Sequence, residues 1–187
     1  APTAQPTSMP APASSPTRQL QPTVTRLPPT AATEPTPTTC PYPVQPDLAE
    51  AWSRLVLGCP INLGATAVST AYAPFEGGQM LWRGDTDAIY VLYNDGRWES
   101  FPNEWREGDP EFTCGEENPL VTPVRGFGRV WCDHPGVRHS VGAATAAEVG
   151  DSAAAVQDFV NGTILTAPFG SSFVLVGEDE VWRRVEE

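Results

Sequence analysis

Apolar and polar positions between residues 46 and 101 follow first a helical and then a strand-like spacing. Segment 46–55 places its apolar side chains three or four residues apart and carries acids in its first turn, which predicts a short amphipathic helix. Segment 75–81 alternates enough to predict a strand with a glycine bend, and segment 89–93 is β-branched and aromatic. The Asn-Asp-Gly of residues 94–96 then suits a tight hairpin turn. The pattern predicts a helix followed by a small antiparallel meander.

The same order of patterns returns after residue 124. The correspondences are 75–81 with 159–165, 89–93 with 172–176, Leu63-Gly64 with Val141-Gly142, Trp52 with Trp131, and Trp98 with Trp182. Segment 124–131 repeats the helical spacing, although it contains two glycines. Two copies of one unit are the simplest explanation. We therefore predict unit one over 46–101, an acidic connecting surface loop over 102–123, and unit two over 124–187.

Composition separates these units from the beginning of the chain. Residues 1–39 contain ten of the 21 prolines, ten threonines and no aromatic residue. So few large apolar side chains cannot offset the entropy of ordering, which predicts a disordered Pro/Thr-rich stalk. Such stalks are often O-glycosylated, and the composition favours a plain spacer with no binding role. Residues 40–187 are long enough for one domain, mainly β with short helices.

The four cysteines and the form of the N-terminus indicate an oxidising compartment. A chain that begins with Ala1, without Met or an apolar signal segment, is typical of a mature secreted protein. No run of apolar residues is long enough to predict a transmembrane segment. An even number of cysteines in such a chain favours disulfides, and four allow three connectivities. We prefer the pairs that close the shortest loops, Cys40–Cys59 and Cys114–Cys132.

A zinc site is the alternative use of two of these cysteines. It would combine Cys114 and Cys132 with His134 and His139. The paired spacing of structural zinc sites is missing, so no metal and no cofactor are predicted.

Net charge and missing motifs restrict the class of function. The net charge is −12 and the chain has no lysine, which excludes a nucleic-acid binder with a dense cationic surface. No nucleophile elbow, zinc-protease motif or phosphate-binding loop is present. His134 and His139 have no activating partner in the pattern, so no catalytic residue is assigned. Abundant acids also produce chance carboxylate pairs, and a small secreted hydrolase is the least favoured reading.

Aromatic residues supply the positive argument for binding. Indole and phenol rings stack on sugar rings while nearby acids accept hydrogen bonds from hydroxyls. The predicted ligand-binding residues are Trp82, Tyr93, Trp105, Asp85 and Asp87. The tryptophans that recur in both units, at positions 52, 98, 131 and 182, are instead expected in the core.

Two short motifs overlap this set. Arg83-Gly84-Asp85 spells the integrin-binding tripeptide, which occurs by chance in turns rich in Gly and Asp. Asp85 and Asp87 could lend oxygens to calcium, but the spacing of a calcium-binding loop is absent.

Unit two resembles a known repeat. It carries Val124-Arg125-Gly126, then Trp131, then segments 141–148 and 157–164, and ends at Trp182. This order is similar to the LGFP repeat of bacterial cell-envelope proteins, in which a Val-x-Gly…Trp helix precedes Leu-Gly-Phe-Pro and Gln-x-Phe-x-x-Gly-x-Ile. The resemblance covers 124–182 and, more loosely, 47–98, with Ala143-Ala144 in place of Phe-Pro.

The resemblance implies a β-rich, propeller-like extracellular module that attaches to the cell wall or to envelope glycans, without catalysis. Together these observations predict a secreted or cell-surface binding module whose partner is a cell-envelope carbohydrate or a surface protein. A structural subunit that assembles with copies of itself is the alternative.

Overall fold

The computed structural model of the chain describes residues 39–111, 114, 121–167, 170–177 and 181–186. The predicted stalk, residues 1–39, lies outside the described residues except for Thr39. The helical elements are a 3₁₀ turn at Pro46–Leu48, α1 at Ala49–Ser53, α2 at Arg125–Asp133 and α3 at Pro135–Val141. The strands are β1 Ala65–Phe75, β2 Gly78–Arg83, β3 Ala88–Tyr93, β4 Trp98–Pro102, β5 Val149–Phe159, β6 Gly162–Ala167, β7 Ser171–Val176 and β8 Val181–Glu186. The fold is mainly β with short helices, as predicted.

All eight strands form one antiparallel sheet in the order β4-β3-β2-β1-β5-β6-β7-β8. Each meander is thus four strands long, and the two join through β1 and β5. The outer strands approach each other at a bridge between Arg97 and Val181. We call this contact between the two ends of the sheet the seam. Two indoles bond across it: Trp98 Nε1 donates to the Val176 carbonyl at 3.1 Å, and Trp182 Nε1 donates to the Tyr93 carbonyl at 2.8 Å. The sheet is therefore nearly closed.

Both faces of the curved sheet are covered by other parts of the protein, so both faces carry apolar side chains. On β3, Tyr90 and Leu92 point inward to a cluster that includes Leu81, Phe173 and Leu175. The alternate residues of β3 point outward and pack against α2 and α3. The outer face of β5–β8 packs in the same way against the 3₁₀ turn and α1. This two-sided burial explains why β3 reads as a continuous apolar run.

The two disulfides are the pairs that loop length favoured. Cys40 is bonded to Cys59 and Cys114 to Cys132, with Cα atoms 5.3 Å apart in each pair. Because the sulfurs of Cys114 and Cys132 are joined to each other, they are not available as zinc ligands.

The predicted strand over 75–81 is wrong. The segment divides into the end of β1 and the start of β2, with Phe75 paired to Gly78 across a two-residue turn. The two glycines of this turn lie too close to neighbouring backbone for any side chain. A Cβ atom on Gly77 would lie 2.2 Å from the carbonyl oxygen of Ser140, and a Cβ atom on Gly78 would lie 2.3 Å from the carbonyl oxygen of Leu92. The pattern did not reveal this close approach.

Two tryptophans make the same kind of contact. Trp131 Nε1 donates to the carbonyl of Gly142 at 2.8 Å, and Trp52 Nε1 donates to that of Gly58 at 3.0 Å. Gly58, Gly64 and Gly142 all have left-handed φ, at 73°, 74° and 70°. The indole contacts, and not the backbone angle, therefore relate Gly58 rather than Gly64 to Gly142.

No helix in the described part of the chain is long and apolar enough to cross a membrane.

Candidate ligand-binding site

A small pocket opens where the first turn of α2 meets the outer face of the first meander. Its volume is about 140 Å³. A cavity of roughly 150 Å³ holds one benzene molecule, so the pocket has room for one six-membered ring. Its lining residues are Ala71, Trp82, Ile89, Asn103, Trp105, Arg125, Gly126, Phe127 and Glu148. The structure thus brings together two predicted binding residues, Trp82 and Trp105.

Asp87 fixes the position of Trp82, which lines the pocket. It lies in the β2–β3 turn with a left-handed φ of 52°. Its Oδ1 accepts hydrogen bonds from Trp82 Nε1 at 2.9 Å and from Asn103 Nδ2 at 2.8 Å. Burial opposes ionisation of Asp87, but these two hydrogen bonds and Arg106 outweigh it, so the pKa lies below its ordinary value. Asp87 is therefore a positioning residue rather than part of the pocket surface.

Trp105 is the second indole that lines the pocket. Its backbone N–H donates to Asn103 Oδ1 at 3.2 Å, and its Nε1 donates to the Pro110 carbonyl at 3.2 Å. The Arg125 guanidinium carbon lies 5.7 Å from the centre of the Trp105 ring. Both indole N–H groups of the pocket, those of Trp82 and Trp105, are thus bonded within the protein, so the rings offer apolar surface rather than donors.

Arg125 holds an unusual backbone conformation at the start of α2. Its φ is 52°, and its N–H donates to the Glu111 carbonyl at 2.6 Å. Among the described residues, three non-glycine residues have left-handed φ, and two of them, Asp87 and Arg125, position this pocket. Such backbone conformations cost free energy and persist only where the surrounding structure compensates for that cost. They concentrate at functional sites.

Glu148, just before β5, is the one carboxylate among the lining residues. Its side chain is 22% exposed, and its Oε1 lies 4.0 Å from Arg125 Nη1. Arg125 Nε also lies 3.6 Å from Glu111 Oε1, so the two carboxylates share one cation. Burial raises the pKa of Glu148, and Arg125 only partly opposes this.

Tyr93 lies outside this site. It is 4% exposed, its hydroxyl hydrogen-bonds Glu99 Oε1 at 3.1 Å, and the Arg97 guanidinium lies 5.1 Å from its ring centre. Burial, and then Glu99, raise the pKa of Tyr93 to about 12. Tyr93 faces a second, more polar depression that shares no lining residue with the first. The structure therefore does not bring Tyr93 together with Trp82 and Trp105.

The Asp85 carboxylate is bound to Arg83 and does not line the pocket. Its two oxygens accept hydrogen bonds from Arg83 Nε at 2.7 Å and Nη2 at 2.9 Å. The Arg83 side chain is only 6% exposed and also pairs with Asp158. The arginine of the Arg-Gly-Asp tripeptide is therefore buried, which removes the integrin-type interpretation. The oxygens of Asp85 are likewise engaged and not free for calcium.

The recurring tryptophans lie in or against the apolar clusters, as predicted. Trp131 is buried under the first meander, Trp98 and Trp182 pack against the interior, and Trp52, on α1, packs against the apolar cluster under that helix. Within the described ranges, no three His, Cys, Asp or Glu side chains are grouped so that they could hold a metal ion.

The pocket also contains residues that the pattern did not single out as binding residues. Asn103, Arg125 and Glu148 come from three separate segments, and the left-handed turn at Arg125 has no sequence signature. Only the aromatic signal was readable in advance. No protein family, curated protein or solved structure matches the chain.

Proposed function

We propose that the chain is a non-catalytic extracellular binding module whose pocket takes one ring of a cell-envelope carbohydrate. The observation that carries the proposal is the pairing of Trp82 and Trp105 in a cavity sized for a single ring. Flat apolar walls suit the C–H face of a sugar, and Glu148 and Arg125 offer an acceptor and donors for its hydroxyls. Mostly apolar walls with a few polar groups are typical of small-ligand sites.

The carboxylate count supports binding rather than hydrolysis. Glycoside hydrolysis uses two carboxyl groups on opposite sides of the scissile bond, roughly 5 to 9.5 Å apart. Among the described residues that line the pocket, Glu148 is the single carboxylate, and Asp87 is turned to Trp82 and Asn103. The described lining residues therefore do not supply the second group.

An origin of the two halves from one LGFP-like unit is part of the proposal. Its support is that Leu57-Gly58-Cys59-Pro60 shares three of four letters with the Leu-Gly-Phe-Pro signature and is the counterpart of Val141-Gly142. Matching backbone hydrogen bonds also link Asn161 to Leu57 and Gly77 to Val141. The two disulfides agree with an extracellular compartment. The predicted stalk would carry the module away from the surface to which it is attached.

The test is a glycan array together with a cell-wall pull-down, using the full chain and two variants. Trp105→Ala removes one wall of the pocket and should weaken retention about tenfold, the equivalent of about 1.4 kcal/mol. Tyr42→Ala removes an exposed aromatic residue that does not line the pocket and should bind normally. A blank array and no retention on cell walls would refute the proposal.

One observation favours assembly as a second function. Val56, Ile61, Leu63 and Val160 are exposed aliphatic side chains, and Val56 is 89% exposed. Backbone hydrogen bonds link Val160 to Cys59 and Ile61 to Asp158, so the segments that carry Ile61 and Val160 lie side by side. An uncharged patch on an acidic protein can contact a second copy without charge repulsion. A strict monomer at high concentration by light scattering would exclude this function.

A further inference from the structure

The charges around the pocket restrict which ring it would take. Among the described residues that line it, Arg125 is the only cation. Arg125 is already shared between two carboxylates, with its Nε 3.6 Å from Glu111 Oε1 and its Nη1 4.0 Å from Glu148 Oε1. An anionic ligand would therefore meet an arginine that two carboxylates already neutralise. It would also approach Glu148 with a charge of the same sign.

Glu148 itself lacks a strong partner. Within the described part of the chain no donor is hydrogen-bonded to its carboxylate, and Arg125 stands at the limit of ion-pair distance. A ligand that fills the pocket would displace the water that now solvates this carboxylate. Burying a charge without a partner is costly, so the ligand itself must supply the compensating group.

A primary ammonium group meets this requirement better than a hydroxyl. It donates three hydrogen bonds and carries the opposite charge, and charge-assisted hydrogen bonds are about twice as strong as neutral ones. Trp82 and Trp105 add to the preference, because the faces of indole rings attract cations. The two indole rings and the Glu148 carboxylate therefore all favour a ligand that carries an ammonium group.

We infer that the pocket selects an amino sugar, a pyranose ring with a free ammonium group that lies against Glu148 while the ring stacks on Trp82 and Trp105. This inference rests on the proposed carbohydrate-binding function. It adds the chemical class of the sugar.

Calorimetry on the full chain tests the inference with two probes, a glucosamine tetramer whose amines are protonated and the N-acetylglucosamine tetramer. We expect the glucosamine tetramer to bind at least tenfold more tightly. Glu148→Gln keeps the shape of the side chain and should remove this preference.

The control variant addresses attraction by the overall negative charge. Glu50→Gln removes one exposed carboxylate on α1, distant in sequence from the pocket-lining residues, and should keep the preference. An equal loss in Glu50→Gln would overturn the inference, because the selectivity would then come from net charge. Wild-type indole N–H resonances give a second readout that needs no variant: those of Trp82 and Trp105 should shift with the glucosamine tetramer, and that of Trp52 should not.

The two proposals fail in different ways. Binding of the acetylated tetramer as tight as that of the glucosamine tetramer overturns the inference and leaves the carbohydrate-binding module intact. Binding of neither tetramer also overturns the inference, and the glycan array then decides the proposed function separately.

Discussion

Removing Arg83 is expected to be the most damaging single change among the ion pairs described here. All its donors are used: Nε and Nη2 bond Asp85, Nη1 and Nη2 bond Asp158 at 2.6 and 3.0 Å, and Nη1 also bonds Thr163 at 3.2 Å. Replacing it with Met keeps most of the volume but leaves two partly buried carboxylates without a cation.

Removing one partner of a buried ion pair costs about 3–5 kcal/mol. With an m-value of about 2 kcal/mol/M, Arg83→Met should lower the urea midpoint by about 2 M. Tryptophan fluorescence of the oxidised protein measures this midpoint. The matched control is Arg97→Met, whose arginine forms a similar but exposed pair with Asp95, and its midpoint should not change.

Two outcomes would contradict this reasoning. One is a loss below about 1 kcal/mol in Arg83→Met, the value of an exposed pair. The other is failure of Arg83→Met/Asp158→Leu to recover part of the loss, because removing both charges should relieve the uncompensated carboxylate.

The same cluster sets the response to acid. Hydrogen bonds from Arg83 lower the pKa of Asp85; at Asp158 burial opposes ionisation, but hydrogen bonds from Arg83 outweigh it and the pKa is again lowered. A lowered folded-state pKa gives stability that is present above the unfolded value of about 3.9 and is lost as the pH falls through the folded value. Unfolding free energy should therefore decline below about pH 4 in the wild type. It should decline less in Arg83→Met.

Three further predictions concern the scaffold. Replacing Cys40 and Cys59 by alanine should cost about 3 kcal/mol in urea unfolding, since the disulfide closes a short loop; an unchanged midpoint would speak against that role. Trp182→Phe removes the hydrogen bond to the Tyr93 carbonyl and should cost about 1 kcal/mol, whereas a loss near zero would mean that the seam adds nothing. In an ultraviolet titration one tyrosine should ionise near pH 12, and Tyr93→Phe should remove that step; persistence of the step would assign it to another tyrosine.

The meanders were readable from the sequence because strand periodicity and turn residues act locally. The Asn-Asp-Gly turn before β4 and the recurring Trp98 and Trp182 needed no knowledge of the rest of the chain. Both disulfides followed from loop length, which is also a local quantity. Helix α3 was not predicted; Pro135 begins this helix, and the packing of Val137 and Val141 in the core stabilises it.

The pocket could be predicted only in part. Trp82 and Trp105 stood out because unit two has no aromatic counterpart for them. Glu148 and Arg125 meet only after α2 packs on the sheet, and their sequence neighbours carry no sign of it. Arg83 stood out only as part of the Arg-Gly-Asp tripeptide, because its partner Asp158 lies far away along the chain.

The exchanged indoles at the seam make each half of the molecule complete the other. Trp98 of the first meander bonds a carbonyl of the second, and Trp182 returns the same contact. One meander alone would hold an indole without an acceptor and two open strand edges, and it could satisfy both only by meeting an identical copy. The single chain therefore joins two four-stranded meanders end to end, and each meander closes the open edge of the other.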